Sequence, residues 1–294
     1  MTVPALPGGA VQRLRDLVAA APGEVALAVR RHDGAALDVG ADRVVPSAST
    51  IKVPVLVAVL RAVQDGRLAL DEPVPLPPPG ERVGGSGPLE LLPSLTALPV
   101  HELLLLMICL SDNDATNVLL DRLDEVVGPG AVAAALALVP TRATHLRRRL
   151  MDAQAAARGL QNETTAADLV DLLVALRERR LLDHERTGVA LDVLGRQQFR
   201  EGLPAYLPES VPVASKTGEI FGVRADVALV EPQPGRWAVV AVVATGLGRG
   251  GSGTDIVSAA GRDHGTSVLP TFAAVGEVVA SLVGVGHASE TRAH

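Results

Sequence analysis

Val45-Pro46-Ser47-Ala48-Ser49-Thr50-Ile51-Lys52-Val53-Pro54-Val55-Leu56 marks a change in the character of the chain. Before it lie short apolar runs of strand length; from residue 50 to 63 the apolar character is continuous and predicts a helix. Pro54 falls near the first turn of that helix, where a proline does least harm. At the helix start, Ser49 and Lys52 hold a hydroxyl and an ammonium three residues apart, on one helical face. The positive potential of a helix N-terminus favours a neutral amine and steadies an adjacent oxyanion. A weak hydroxyl beside a base able to take its proton is the arrangement of an activated nucleophile. Only two of the 27 lysine and arginine residues are lysine, Lys52 and Lys216. Arginine does not lose its proton in a protein, whereas a buried lysine becomes a neutral base. Two survivors of an arginine-biased composition would look the same, so the neighbours of each lysine decide the matter.

Outward from this stretch, residues 11–20 read as an amphipathic helix closed by Pro22-Gly23. Residues 24–31 and 35–39, joined by His32-Asp33-Gly34, read as a hairpin, since Asp-Gly between apolar runs is a strong turn signal. Residues 71–88 are rich in Pro and Gly and must be loop or extended chain. Helical patterns follow at 100–110, 114–127, 131–138, 166–180 and 185–200. Strand patterns return at 211–215, 223–230 and 237–244, and a helix over 269–283 closes the chain. The order predicts an α/β (α+β) architecture in which both chain ends share one antiparallel sheet flanked by N- and C-terminal helices. Residues 1–48 and 205–294 would form the sheet-bearing lobe, and residues 49–204 an inserted all-helical lobe, together one catalytic unit.

Composition narrows the function classes. The 294 residues are 48% hydrophobic and 20% charged, which excludes a disordered or fibrous chain. A net charge of −6 argues against a nucleic-acid surface, and Arg147-Arg148-Arg149 alone reads as a solvated face. A single cysteine, Cys109, excludes a disulfide framework and a thiolate metal site. The seven histidines show no i+3 or i+4 pairing, so neither a metal nor a cofactor is expected. No apolar run approaches the roughly 20 residues that cross a bilayer, and no signal-peptide pattern opens the sequence. These features predict a cytoplasmic monomer acting on a small molecule, or a periplasmic or secreted one if an export signal has been removed. Gly84-Gly85-Ser86-Gly87 lacks the strand–turn–helix setting of a phosphate loop and reads as a flexible cleft rim.

Two further motifs are ambiguous alone. Ser111-Asp112-Asn113 follows the apolar run 100–110 at a break before the next helix. It is an ordinary N-cap, or else a turn whose Ser and Asn point into a cleft while the Asp anchors it. Lys216-Thr217-Gly218 reads as the end of the strand at 211–215. It is an ordinary strand end, or an edge whose ammonium and hydroxyl hold a carboxylate.

Taken together, Ser-x-x-Lys, Ser-Asp-Asn and Lys-Thr-Gly in this order form the motif set of penicillin-interacting serine enzymes. The chain resembles the class A β-lactamase-like serine hydrolases over nearly its whole length, with Val45-Pro46 before the nucleophile and Glu163-Thr164-Thr165 like the segment closing the family's Ω loop. The resemblance implies roles. Ser49 would be the acylated nucleophile and Lys52 its general base. Ser111 would relay a proton to the leaving nitrogen, and Asn113 would hold the substrate amide. Lys216 and Thr217 would bind the substrate carboxylate, with Gly218 between them and the oxyanion hole formed by the backbone N–H groups of Ser49 and Glu219. Arg224 would assist, although it stands one residue closer to Lys216 than the family pattern; otherwise it is an exposed strand arginine.

One departure carries a mechanistic consequence. Counting inward from both ends of the Ω loop, the glutamate that activates the deacylating water in this family is replaced by Leu150, and Gln154 occupies an asparagine slot. Asp152 is displaced by two residues, and Glu163 is expected to close the loop with an arginine. The expected activity is acyl-enzyme formation on β-lactams or related amides or esters, with slow deacylation. The alternatives are a D,D-peptidase-like or esterase hydrolase, and a penicillin-binding protein that stays acylated.

Overall fold

The computed structural model describes residues 4–248 and 268–286. Helix α1 (Gly8–Ala20) leads into the hairpin β1 (Glu24–Arg31) and β2 (Ala36–Val39). A short strand β3 (Val45–Pro46) and a 3-10 turn (Ala48–Ile51) precede α2 (Lys52–Gln64). Strand β4 (Pro73–Pro75), inside the Pro/Gly-rich stretch, pairs antiparallel with β5 (Ala97–Pro99). The helical block then runs through α3 (Val100–Cys109), α4 (Asn113–Val126), α5 (Ala131–Leu136) and α6 (Ala153–Ala157). After β6 (Glu163–Thr164) come α7 (Ala166–Arg177), α8 (His184–Gly195), β7 (Val213–Ile220), β8 (Val223–Gln233), β9 (Arg236–Thr245) and α9 (Leu269–Ser281).

The five-stranded sheet has the order β2-β1-β9-β8-β7 with every pairing antiparallel, so the two ends of the chain do share one sheet. Its faces divide by residue parity, as the pleat requires. In β9, Val239, Ala241 and Val243 face a core shared with the helical block, whereas Ala238, Val240, Val242 and Ala244 face Leu14 of α1 and Phe272, Val275 and Val279 of α9. Burial on both faces explains why the run 237–244 is apolar without alternation. Helix α2 is buried on every side from Lys52 to Leu60, which accounts for its unbroken apolar sequence. Each such Val or Leu contributes about 1.5–3 kcal/mol on burial, so α2 is the axle of the larger core.

Three of the boundaries that differ from the sequence reading bear on the site or its surroundings. Lys216-Thr217-Gly218 lies inside β7, which continues to Ile220 because every residue from Val213 onward has a partner on β8. Helix α8 stops at Gly195, short of residue 200: glycine is a weak helix former, and beyond it the Gln197 side chain turns to the carbonyl of Ile108 at 3.0 Å. The first turn of the helix expected at residue 50 is 3-10, not α. The segment 84–87 is pinned, not loose. Gly84 N–H donates to Asp114 Oδ2 at 3.1 Å, the Gly84 carbonyl accepts from Asn113 Nδ2 at 2.9 Å, and the Ser86 carbonyl accepts from Asn113 N–H at 3.1 Å. Cys109 is a core residue whose thiol is pushed up by burial. His264, His287 and His294 lie outside the described residues.

Asp168, buried on α7, ties the start of the 144–165 loop to that helix. Its carboxylate accepts from the N–H groups of Arg142 (3.0 Å) and Ala143 (2.9 Å) and from the Thr144 hydroxyl (2.8 Å). Asp168→Ala leaves all three donors without this acceptor and is expected to cost about 2–4 kcal/mol. Equilibrium urea unfolding of the two proteins measures this; a cost under about 0.5 kcal/mol would show that the carboxylate does not anchor the loop.

Candidate active site

Ser49 occupies the 3-10 turn that leads into α2, and Lys52 is the first α-helical residue. Side chains three apart share a face in 3-10 geometry, but the Lys52 amine is bonded to Ser111 and Asn113, with no hydrogen bond to the Ser49 hydroxyl among the described residues. The turn is entered through Ala48 at φ +45°, a left-handed conformation that costs a non-glycine residue about 1–3 kcal/mol. Ser111 (φ +55°), in the second motif, and Met151 (φ +62°), next to Leu150, are held the same way, whereas Arg179 (φ +60°) lies beyond the end of α7. Strand β7 presses on the turn at Gly218: a Cβ there would lie 3.1 Å from both Ser49 N and Ala48 Cβ. Any other residue there would force the turn or the strand to shift by a few tenths of an ångström, so glycine suits this close approach to the Ser49 backbone.

Both lysines are fully buried and converge on one hydroxyl. Lys52 Nζ donates to the Ser111 carbonyl at 2.6 Å, to Asn113 Oδ1 at 2.8 Å and to Ser111 Oγ at 3.2 Å. Lys216 Nζ reaches the same Ser111 Oγ at 3.2 Å and the Thr217 carbonyl at 2.9 Å. The structure thus brings Lys52, Ser111, Asn113 and Lys216 into one hydrogen-bonded cluster. The Ser49 hydroxyl forms no hydrogen bond among the described residues; it enters the site through its backbone, beneath Gly218.

Electrostatics follow from that burial. Desolvation pushes the Lys52 amine well below the usual 10.5, and the nearby Lys216 charge pushes it further, against a smaller opposing pull from Asp112. Burial lowers Lys216 as well, with Asp226 opposing. Asp112, the carboxylate that pulls on Lys52, is also held by main-chain donors. Asp112 caps α4 through Ala115 N–H at 2.8 Å and holds Leu89 N–H at 2.9 Å. Asp112 is thus the N-cap of α4, while Ser111 turns to both buried lysines and Asn113 to Lys52.

β7 is an edge strand of the sheet. Thr217 is opposite Asp226 and Glu219 opposite Arg224, so these four share one face while Lys216 and Gly218 turn to the other. Arg224 is paired, not free: its Nη1 lies 2.9 Å from Glu219 Oε2.

The 144–165 loop is stapled independently of its central residues. His145 bridges Glu163, Arg147 pairs with Glu163, and Asn162 Oδ1 accepts from Arg147 N–H at 2.8 Å and Arg148 N–H at 3.1 Å. Leu150 is held by its backbone, Asn117 Oδ1 accepting from Leu150 N–H at 2.9 Å and Asn117 Nδ2 donating to its carbonyl at 3.0 Å. Asp152 is spent as the N-cap of α6, accepting from Ala155 N–H at 2.8 Å, and Gln154 is exposed on that helix. Among the described residues, no group of three or more His, Cys, Asp or Glu side chains is placed to hold a metal ion, and no helix is long and apolar enough to cross a membrane.

Two contributors escape a motif search. Asn117 sits four residues after Asn113, on the same face of α4, a spacing visible in the sequence. Asp226 is the one acid in the apolar run of β8, a signal equally visible. It is fully buried, with Oδ2 accepting from Leu203 N–H at 2.9 Å and Oδ1 without a hydrogen-bond partner among the described residues, and burial raises its carboxyl.

Residues 9–267 match the family described as Beta-lactamase enzyme family. No curated protein matches the chain. Among solved structures, a beta-lactamase from Sphaerobacter thermophilus DSM 20745 is 28% identical over 93% of this chain and 97% of its own, with a TM-score of 0.79. PBP-A is 27% identical over 95% and 98%, with a TM-score of 0.76. A PBP-A mutant described as an acyl-enzyme complex with penicillin-G is 26% identical over 96% and 98%, with the same score. With a matched span covering all three motifs and both ends of the sheet, the chain belongs to the beta-lactamase enzyme family.

Proposed function

We propose that this protein is a serine hydrolase that forms an acyl-enzyme on Ser49 with β-lactams, or with related amides and esters bearing a carboxylate. The observation that carries the reading is the convergence of two buried lysines on Ser111 Oγ, beside a serine turn pressed against an edge strand. In this reading a neutral Lys52 takes the Ser49 proton as Oγ attacks the carbonyl carbon. The Ser49 and Glu219 backbone N–H groups receive the oxyanion, each such donor being worth about 10²–10³ in rate. Ser111 passes a proton from the lysine pair to the departing nitrogen, and Asn113 holds the substrate amide. Thr217, Lys216 and Arg224 bind the carboxylate. The catalytic unit comprises a sheet-bearing part (1–48 and 205–294) and a helical part (49–204), acting as a monomer without cofactor.

Release of the acyl group is the weak half of the cycle. Leu150 offers no base, Asp152 is occupied by its cap, and Glu163 by Arg147. A missing positioned base costs about 10²–10⁴ in the step it serves, or roughly 3–5.5 kcal/mol. This favours a second reading, a penicillin-binding protein that stays acylated, over efficient antibiotic hydrolysis.

Incubation with a chromogenic cephalosporin, followed by intact-mass spectrometry, tests the reading. A persistent acyl adduct is expected, absent from Ser49→Ala, and Leu150→Glu is expected to accelerate its loss by at least about tenfold. Failure to label the unmodified protein would overturn the assignment of Ser49; rapid turnover without an adduct would overturn slow release.

The pH dependence of acylation tests the base. Lys52 accepts a proton only when neutral, so the rate rises with pH and levels off above the Lys52 pKa. Burial and Lys216 set that rise below 10.5. Lys216→Met removes one of the two lowering influences, so the midpoint should move to higher pH; an unchanged midpoint would show that the two amines are not coupled.

A further inference from the structure

Glu219 stands one residue past Lys-Thr-Gly, on the strand edge along which a substrate would lie. Its side chain is 58% exposed, yet it is not idle: Oε2 sits 2.9 Å from Arg224 Nη1. The β7–β8 register places Glu219 directly across from Arg224 and puts the Thr217 hydroxyl on the same face, one pleat along. Lys216 turns to the other face, into the buried cluster with Ser111. On the Thr217 side, then, Arg224 supplies the guanidinium, and a carboxylate of the chain itself already holds one arm of it. An arriving carboxylate meets a partly occupied fork and a like charge beside it, although a guanidinium binds carboxylates best when both arms are free.

We propose that Glu219 is a built-in competitor for the substrate carboxylate on Arg224, and so a residue that sets selectivity between carboxylate-bearing and carboxylate-free acyl donors. This rests on the reading of Ser49 as the acylated residue. The pair is exposed enough to open readily; ion pairs of this kind contribute about 0.2–1 kcal/mol. Glu219 therefore lowers the preference for a charged substrate without blocking it. Because Glu219 acts through Arg224, it is a positioning residue; only its backbone N–H is assigned to the oxyanion.

The experiment compares acylation of Ser49 by benzylpenicillin and by its methyl ester, which differ only by the methyl group that removes the carboxylate charge. The readout is the ratio of their kcat/KM values for adduct formation. Glu219→Gln is expected to raise the acid-to-ester ratio by up to about fivefold, chiefly through a lower KM for the acid, and Glu219→Ala to move it the same way. Arg224→Gln should lower the ratio, and adding Glu219→Gln to it should have no further effect. An unchanged or lower ratio in both Glu219 variants overturns the proposal. So does an equal gain with Arg224 already removed, since that would be simple repulsion of the substrate. Thermal unfolding confirms that each variant remains folded. If neither donor labels the unmodified protein, the acyl-enzyme reading falls and the proposal falls with it; labelling at an unaltered ratio defeats the proposal alone.

Discussion

Two ammonium groups kept from water against a single hydroxyl form the constraint around which this molecule is organised. An isolated buried charge is costly, and two of like sign are costlier, so the chain must neutralise, hydrogen-bond or counter them. It does all three. Lys52 is pushed toward its neutral form; Ser111, Asn113 and Thr217 supply acceptors; Asp112 and Asp226 lie within electrostatic reach. The residues that make burial tolerable also give the amines chemical use. A lysine in water at neutral pH is no base, whereas one desolvated beside a second cation is.

The supporting structure reads as the means of bringing these groups together from distant parts of the sequence. Lys52 rides on the most deeply embedded helix, Ser111 on a left-handed turn between α3 and α4, and Lys216 on the edge strand. None of the three is adjustable alone. The backbone strain at Ala48 and Ser111 persists because the packing around them over-determines their positions. Asp168 and Asp112, each binding several N–H groups, hold the loops that frame the cluster.

Much of this was legible in the residues. The continuous apolar run after Lys52 and the returning strand patterns after residue 211 predict an inserted helical block and a shared sheet, because burial on all sides leaves a plain compositional trace. The three motifs likewise announce the cluster by chemistry and order. What stayed hidden depends on distance and register. That Lys-Thr-Gly lies within its strand follows from β8 continuing to pair beyond Gly218, which no local signal encodes. The Arg224–Glu219 pair follows from a hairpin register, and the Asn117 grip on Leu150 from a loop returning to α4. Left-handed alanine and serine residues have no sequence signature at all.

The stapling of the 144–165 loop separates what shapes it from what it presents. Its ends are fastened by Asp168, Asn162 and the Arg147–Glu163 pair, and its middle by main-chain atoms of Leu150. None of these hydrogen bonds uses the Leu150 side chain, which instead packs, half-buried, against the larger core. A polar residue in its place would keep the grip of Asn117 on the main chain but forfeit that apolar contact. Any change of chemistry at this position is therefore set against the packing of the loop.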